Sequence, residues 1–130
     1  DSLLTTGTTT VSLPVGTFSF DKVVTGVIGV QDTIEPMNQI NLTANFSDLK
    51  GSLTAVSDNL YMSSTDFEIN SQTGSLSGGV SEIGELNTTF SVSADILGAF
   101  AGRNAGAVHG FIFNDGESVE DGIGIFVAYR

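Results

Sequence analysis

Apolar and polar residues alternate along most of this chain with a period of two, the signature of half-buried strands. The clearest case is residues 39–46 (QINLTANF), which put Ile40, Leu42, Ala44 and Phe46 on one face. Residues 17–30 alternate around Phe18, Phe20 and Val23, residues 52–57 around Leu53 and Ala55, and residues 61–70 carry Phe67 and Ile69. Residues 74–83 carry Leu76 and a Gly78–Gly79 pair suited to a bulge. Residues 86–94 alternate through Thr88, Phe90, Val92 and Ala94. Three closing strands follow, at 97–101, 108–114 and 123–129. Turn signals separate these runs: residues 31–38 with Pro36, residues 48–51, and a glycine-pinned corner at 101–106.

About eight or nine strands at this spacing predict an all-β fold, a small antiparallel up-and-down β-barrel of about eight strands. A closed barrel is favoured because it leaves no exposed edge. The nine phenylalanines fall mostly in alternating runs and are expected to fill the core, Phe111 and Phe113 sharing one face. Side chains alone can fill the lumen of a barrel this size, and an apolar ligand cavity is the alternative.

Residues 1–16 stand apart. They are rich in Thr and nearly uncharged, with apolar alternation at Val11, Leu13 and Val15 and a proline at Pro14. The expected organisation is an N-terminal extended arm over 1–16 and a barrel domain over 17–130. The arm reads either as a loose tail or as a strand that pairs with its own barrel or a neighbour. On the second reading Leu3, Val11, Leu13 and Val15 are interaction residues.

The formal net charge is −11, from fifteen acids against four bases. Phosphate binding needs a basic face, so nucleic acid is not an expected partner; nor is an anionic lipid surface. The chain contains no cysteine, which excludes disulfides, thiolate metal sites and cysteine nucleophiles within it. No apolar run approaches the ~20 residues of a membrane helix. The lack of an initiator Met suggests processing or excision from a longer chain.

The segment around Gly98, Phe100, Gly102, Asn104, Ala105, Gly110 and Phe113 resembles the β-barrel domain of transferrin-binding protein B and related bacterial surface lipoproteins. Gly122, Gly124 and Phe126 are similar to the family's final strand, and residues 41–55 to its strand–turn–strand. The resemblance covers roughly residues 39–130 and departs from the family at Ala101 and Arg103. It implies a barrel and a cell-surface setting. The corner also has a physical reading of its own: glycines at 102 and 106 permit positive φ or close backbone approach, Asn104 tolerates the left-handed region, and Ala105 is small enough to tuck under a barrel end. Gly98, Gly102, Asn104, Ala105 and Gly110 are therefore structural corner residues, and Arg103 is a candidate contact.

Little in the chain suggests catalysis. His109 is the only histidine, so neither a triad nor a multi-histidine metal site can be built on it. Asp115, Glu117, Glu120 and Asp121 cluster in one turn but lack EF-hand spacing; they form a weak calcium candidate, and no other cofactor is expected. Three N-x-S/T sequons begin at Asn41, Asn45 and Asn87.

These observations favour an exported, non-enzymatic bacterial barrel at the cell surface or outside the cell. The first functional expectation is a self-assembling, filament-type subunit using its arm for β-strand addition. The alternative is a surface module that captures a host protein, iron carrier or small ligand through barrel-end loops, near Arg103 or residues 115–121.

Overall fold

The structure is a computed structural model that describes residues 13–114 and 122–130, apart from the side chain of Arg103. The strands are β1 (Thr17–Phe20), β2 (Lys22–Val30), β3 (Thr33–Pro36), β4 (Gln39–Asn45), β5 (Lys50–Val56), β6 (Leu60–Ile69), β7 (Ser75–Ser77), β8 (Val80–Glu85), β9 (Ser91–Ala101), β10 (Ala107–Phe113) and β11 (Ile123–Tyr129). All pair antiparallel in one sheet, in the order β1-β4-β5-β6-β7-β9-β10-β11-β2-β3, with β8 continuing β7 between β6 and β9.

β1 and β2 lie near opposite ends of this path, yet only Asp21 separates them in the chain. The ring is thus completed by a covalent bend rather than by a ladder. With β1–β2 as one bent strand and β7–β8 as one broken strand, eight staves make up the barrel and β3 adds a short rim to β2. A seam is left between β2 and the start of β4. A cleft of about 390 Å³ opens beside it, lined by Asp21, Gln39, Asn41, Thr54 and their neighbours.

The inward residues follow the alternation. Ile40, Leu42 and Ala44 are buried, as are Leu53, Ala55, Phe67 and Leu76. The lumen is filled by side chains. Met62 reaches across from β6 to the space over Gly124 on β11, where a Cβ would stand 2.3 Å from the Met62 sulfur. The buried serines Ser64 and Ser81 satisfy each other: Ser81 Oγ donates to Ser64 Oγ at 2.8 Å.

Several local expectations are corrected. Residues 86–94 do not form one strand: 86–89 turn, and β9 runs unbroken from Ser91 to Ala101, joining what the sequence split. Proline at 36 does not prevent a strand, because Thr33–Pro36 pairs only with β2 and an edge tolerates a missing donor. Gly78 and Gly79, both at positive φ, interrupt β7–β8. At the corner Gly102 has φ 82°, but Gly106 has an ordinary right-handed conformation; the left-handed residues are Asn104 and Ala105.

The largest correction concerns β10. Its inward residues are Val108, Gly110 and Ile112, so Phe111 and Phe113 share the outer face rather than the core. Their rings lie 5.2 Å apart there.

Candidate interaction surfaces

The two ends of the barrel differ. At the end carrying the 101–106 corner, four rings form a plug: Phe18 to Phe46 at 6.0 Å, Phe46 to Phe100 at 5.0 Å and Phe20 to Phe100 at 5.4 Å. Ala105 is fully buried beneath the corner. Arg130 lies with its guanidinium 4.6 Å from the centroid of Phe18 and donates to the carbonyl of Asn104 at 3.0 Å. Its own carbonyl accepts from Lys22 Nζ at 3.0 Å. This end is sealed by apolar contact and a cation–π pair.

The opposite end presents turns. Glu35, on β3, accepts hydrogen bonds from Ser57 Oγ at 2.5 Å, Asn59 N at 2.9 Å and Asn59 Nδ2 at 2.7 Å. Asn38 Nδ2 donates to Asp58 at 2.7 Å. The β2–β3 segment is thereby tied to the β5–β6 turn across the seam, where no strand ladder runs. Hydrogen bonds from Ser57 and Asn59 stabilise the charged form and hold the Glu35 carboxyl below its ordinary pKa. The exposed 86–89 turn stands beside them, with Leu86 N bonded to the carbonyl of Asn59 at 2.8 Å.

The outer walls differ as well. Across β4, β5 and β6 the outward positions include Gln39, Asn41, Thr43, Ser52, Thr54, Tyr61 and Ser63, a mostly polar surface. On that wall Tyr61 Oη donates to Glu82 at 2.9 Å; burial first, and the carboxylate second, raise the phenol's pKa. On β9, β10, β11 and β2 the pattern reverses. Leu97 pairs with Phe111, Phe111 with Ile125 and Ile125 with Val27, giving one outward row over four strands. A second row runs Phe113, Ile123, Gly29 and Ile34. Ile34 and Ile123 converge over Gly29, within 3.5 Å of where its Cβ would stand. Leu97, Phe111 and Ile125 are 41–46% exposed and Ile34 is 71% exposed, too much for core residues.

The residues singled out from the sequence scatter over this frame. Gly98 and Gly110 face each other across β9–β10. Leu13 packs against the core and Val15 is exposed; Leu3 and Val11 lie outside the described residues. So do Asp115, Glu117, Glu120 and Asp121, and among the described residues no cluster of three or more His, Asp or Glu could hold a metal. His109 is exposed on the outer face of β10. Ala107, next to the 101–106 corner, and Phe113 mark the two ends of β10. Sequence reasoning missed Arg130, Glu35 and the apolar outer wall. The wall had a signal: residues 123–129 (IGIFVAY) are apolar on both alternating sets, as in a strand covered on both faces.

No family model matches this chain, and no curated protein matches it. Solved structures do. Transferrin binding protein B from serogroup B Neisseria meningitidis is similar at a TM-score of 0.66 and 19% identity over 95% of this chain. A double mutant of transferrin binding protein B from Haemophilus parasuis is similar at 0.65 and 12% over 91%. Intact Ap-TbpB, with its N and C lobes, is similar at 0.63 and 12% over 91%. The match covers 26–27% of each of those chains, so this chain spans about a quarter of their length. What it shares with them is the fold: a transferrin-binding-protein-B-like β-barrel.

Proposed function

We propose that this domain is a non-enzymatic bacterial cell-surface module that captures a host protein, an iron carrier of the transferrin class, through the turns at the Glu35 end of the barrel. The observation that carries this reading is the agreement of nearly the whole chain with three transferrin-binding structures. The Glu35 end is chosen because the other is plugged by phenylalanines. Turns held on a rigid scaffold are where binding residues concentrate. Asp58, Asn59, Asn87 and Thr88 are exposed there. Filament assembly through the arm draws no support from the described residues, which include only 13–16 of the arm.

The test is surface plasmon resonance of the full chain over immobilised vertebrate transferrins, iron-loaded and iron-free. Binding is expected, with at least about tenfold weakening by Asn87→Lys and Asn59→Lys and none by Ser47→Lys at the plugged end. No response at the highest soluble concentration removes the transferrin reading. Loss of binding in Ser47→Lys alone moves the site to the other end.

A further inference from the structure

We propose that the outer wall of β9, β10, β11 and β2 is a docking surface for a protein partner that presents apolar side chains ringed by lysine and arginine. This goes beyond the barrel-end reading and stands whether or not transferrin binds.

The first observation is the asymmetry of the barrel. Solubility requires only that outward positions be polar, and β4, β5 and β6 largely satisfy that. Leu97, Phe111, Phe113, Ile123, Ile125 and Ile34 break the rule together, in two adjoining rows set by the strand register. Their exposed apolar surface is on the order of 400 Å², the size at which a patch on a monomer is often functional. A standard interface covers about 800 Å² per partner, with an apolar centre and a polar rim. The wall has the dimensions of such a centre. An all-round lipid belt is excluded by the polar wall opposite.

The second observation is charge, which selects the occupant. Asp95 pairs in register with Phe113 and is exposed at the edge of the patch. Asp32 is exposed in the turn beyond Ile34. The whole chain carries −11, so a second copy would bring two equal negative fields together, whereas a basic-rimmed surface would be steered in. The same field disfavours an anionic bilayer.

The experiment uses the full chain with labelled Ile and Leu methyl groups, observed by NMR. The probes are two amphipathic helical peptides with the same leucine pattern, one carrying lysine on its polar face and the other glutamate. The expected result is binding of the lysine peptide, with methyl shifts confined to Leu97, Ile123, Ile125 and Ile34. Affinity should weaken with added salt, and the glutamate peptide should not bind. Phe111→Ser and Ile125→Ser should each weaken binding at least about tenfold. Asp95→Lys, an exposed change that leaves the apolar rows intact, should weaken it several-fold while the chain keeps its strand circular dichroism.

Equal binding of both peptides overturns the proposal, since apolarity alone would then suffice. So does a response centred on Ile40 and Leu53, the buried methyls directly behind the polar wall. A concentration-dependent dimer that shifts the same methyls assigns the wall to a second copy. Shifts with phosphatidylcholine vesicles and none with peptide assign it to lipid. Contacts from Leu3 or Leu4 to Phe111 in the free chain show that it covers its own wall. Each of these three results overturns the proposal.

Discussion

Gly110 and Phe126 are cross-strand partners on β10 and β11, and the ring occupies the space a side chain at 110 would need. A Cβ there would stand 3.0 Å from Phe126 Cζ and 2.7 Å from the Leu97 carbonyl oxygen. The register carries the row further, to Gly98 on one side and Gly26 on the other. A large ring over glycines lets a narrow barrel close without a void. Gly51 with Phe67 repeats the arrangement on β5–β6, and Gly84 sits under Tyr61 on the outer face of β6–β8.

Gly110→Ala is therefore expected to destabilise the fold by about 1–3 kcal/mol, because the obstructing carbonyl is backbone and the ring is fully buried. The urea midpoint should fall with the slope unchanged. A midpoint equal to that of the parent chain would show that β9 and β10 part easily at this level.

Met62 and Gly124 are coupled in the same way across the lumen. Gly124→Ala forces the thioether aside and should cost about 1–3 kcal/mol. Met62→Ala leaves a cavity and should cost about 2–5 kcal/mol. In the double variant the new methyl occupies part of that cavity, so the two losses should fall short of additivity by about 1 kcal/mol. A double-mutant cycle by urea unfolding measures it; strict additivity would mean that the two side chains do not share space.

Glu35 makes the seam pH-dependent. Its folded pKa lies below the ordinary 4.5, so the unfolded chain takes up a proton first as pH falls. The stabilisation is fully present above about pH 4.5 and is lost as pH drops through the depressed folded value. Thermal melts of the parent and Glu35→Gln should differ at neutral pH, the variant melting lower, and converge under acid. A constant offset over the whole range would place the effect in packing rather than in the ionised carboxyl.

Tyr61 behaves in the opposite sense at high pH. Its folded pKa is raised above the ordinary 10.0, by burial first and by Glu82 second. Its contribution is complete below pH 10 and is lost as pH rises through the folded value. Titration by ultraviolet absorbance should show a late phenol that disappears in Tyr61→Phe and shifts downward in Glu82→Gln. A Tyr61 that titrates unchanged in Glu82→Gln would leave burial as the whole cause.

Much of the barrel is legible before folding. The alternation at residues 39–46 identifies the inward residues of β4 directly, because a half-buried strand repeats every two residues. The same rule failed at β10, where both sets are apolar: Val108 and Ile112 on one side, Phe111 and Phe113 on the other. Side-chain size favoured the phenylalanines as core, but the narrow space beside Phe126 admits only glycine at 110, and that parity turns Phe111 outward. The Glu35 clamp was equally illegible, since its partners lie more than twenty residues away in a turn that only the closed ring brings near.

By itself, then, the sequence determined the all-β class, a barrel of about eight staves, the inward set of β4 and β5, and the absence of thiol chemistry. These follow from local periodicity and composition. Tertiary structure decided which face of β10 is buried, which barrel end is plugged, how the seam is tied and where the apolar wall lies. Those depend on register between strands distant in the chain, where a shift of one residue exchanges inside for outside.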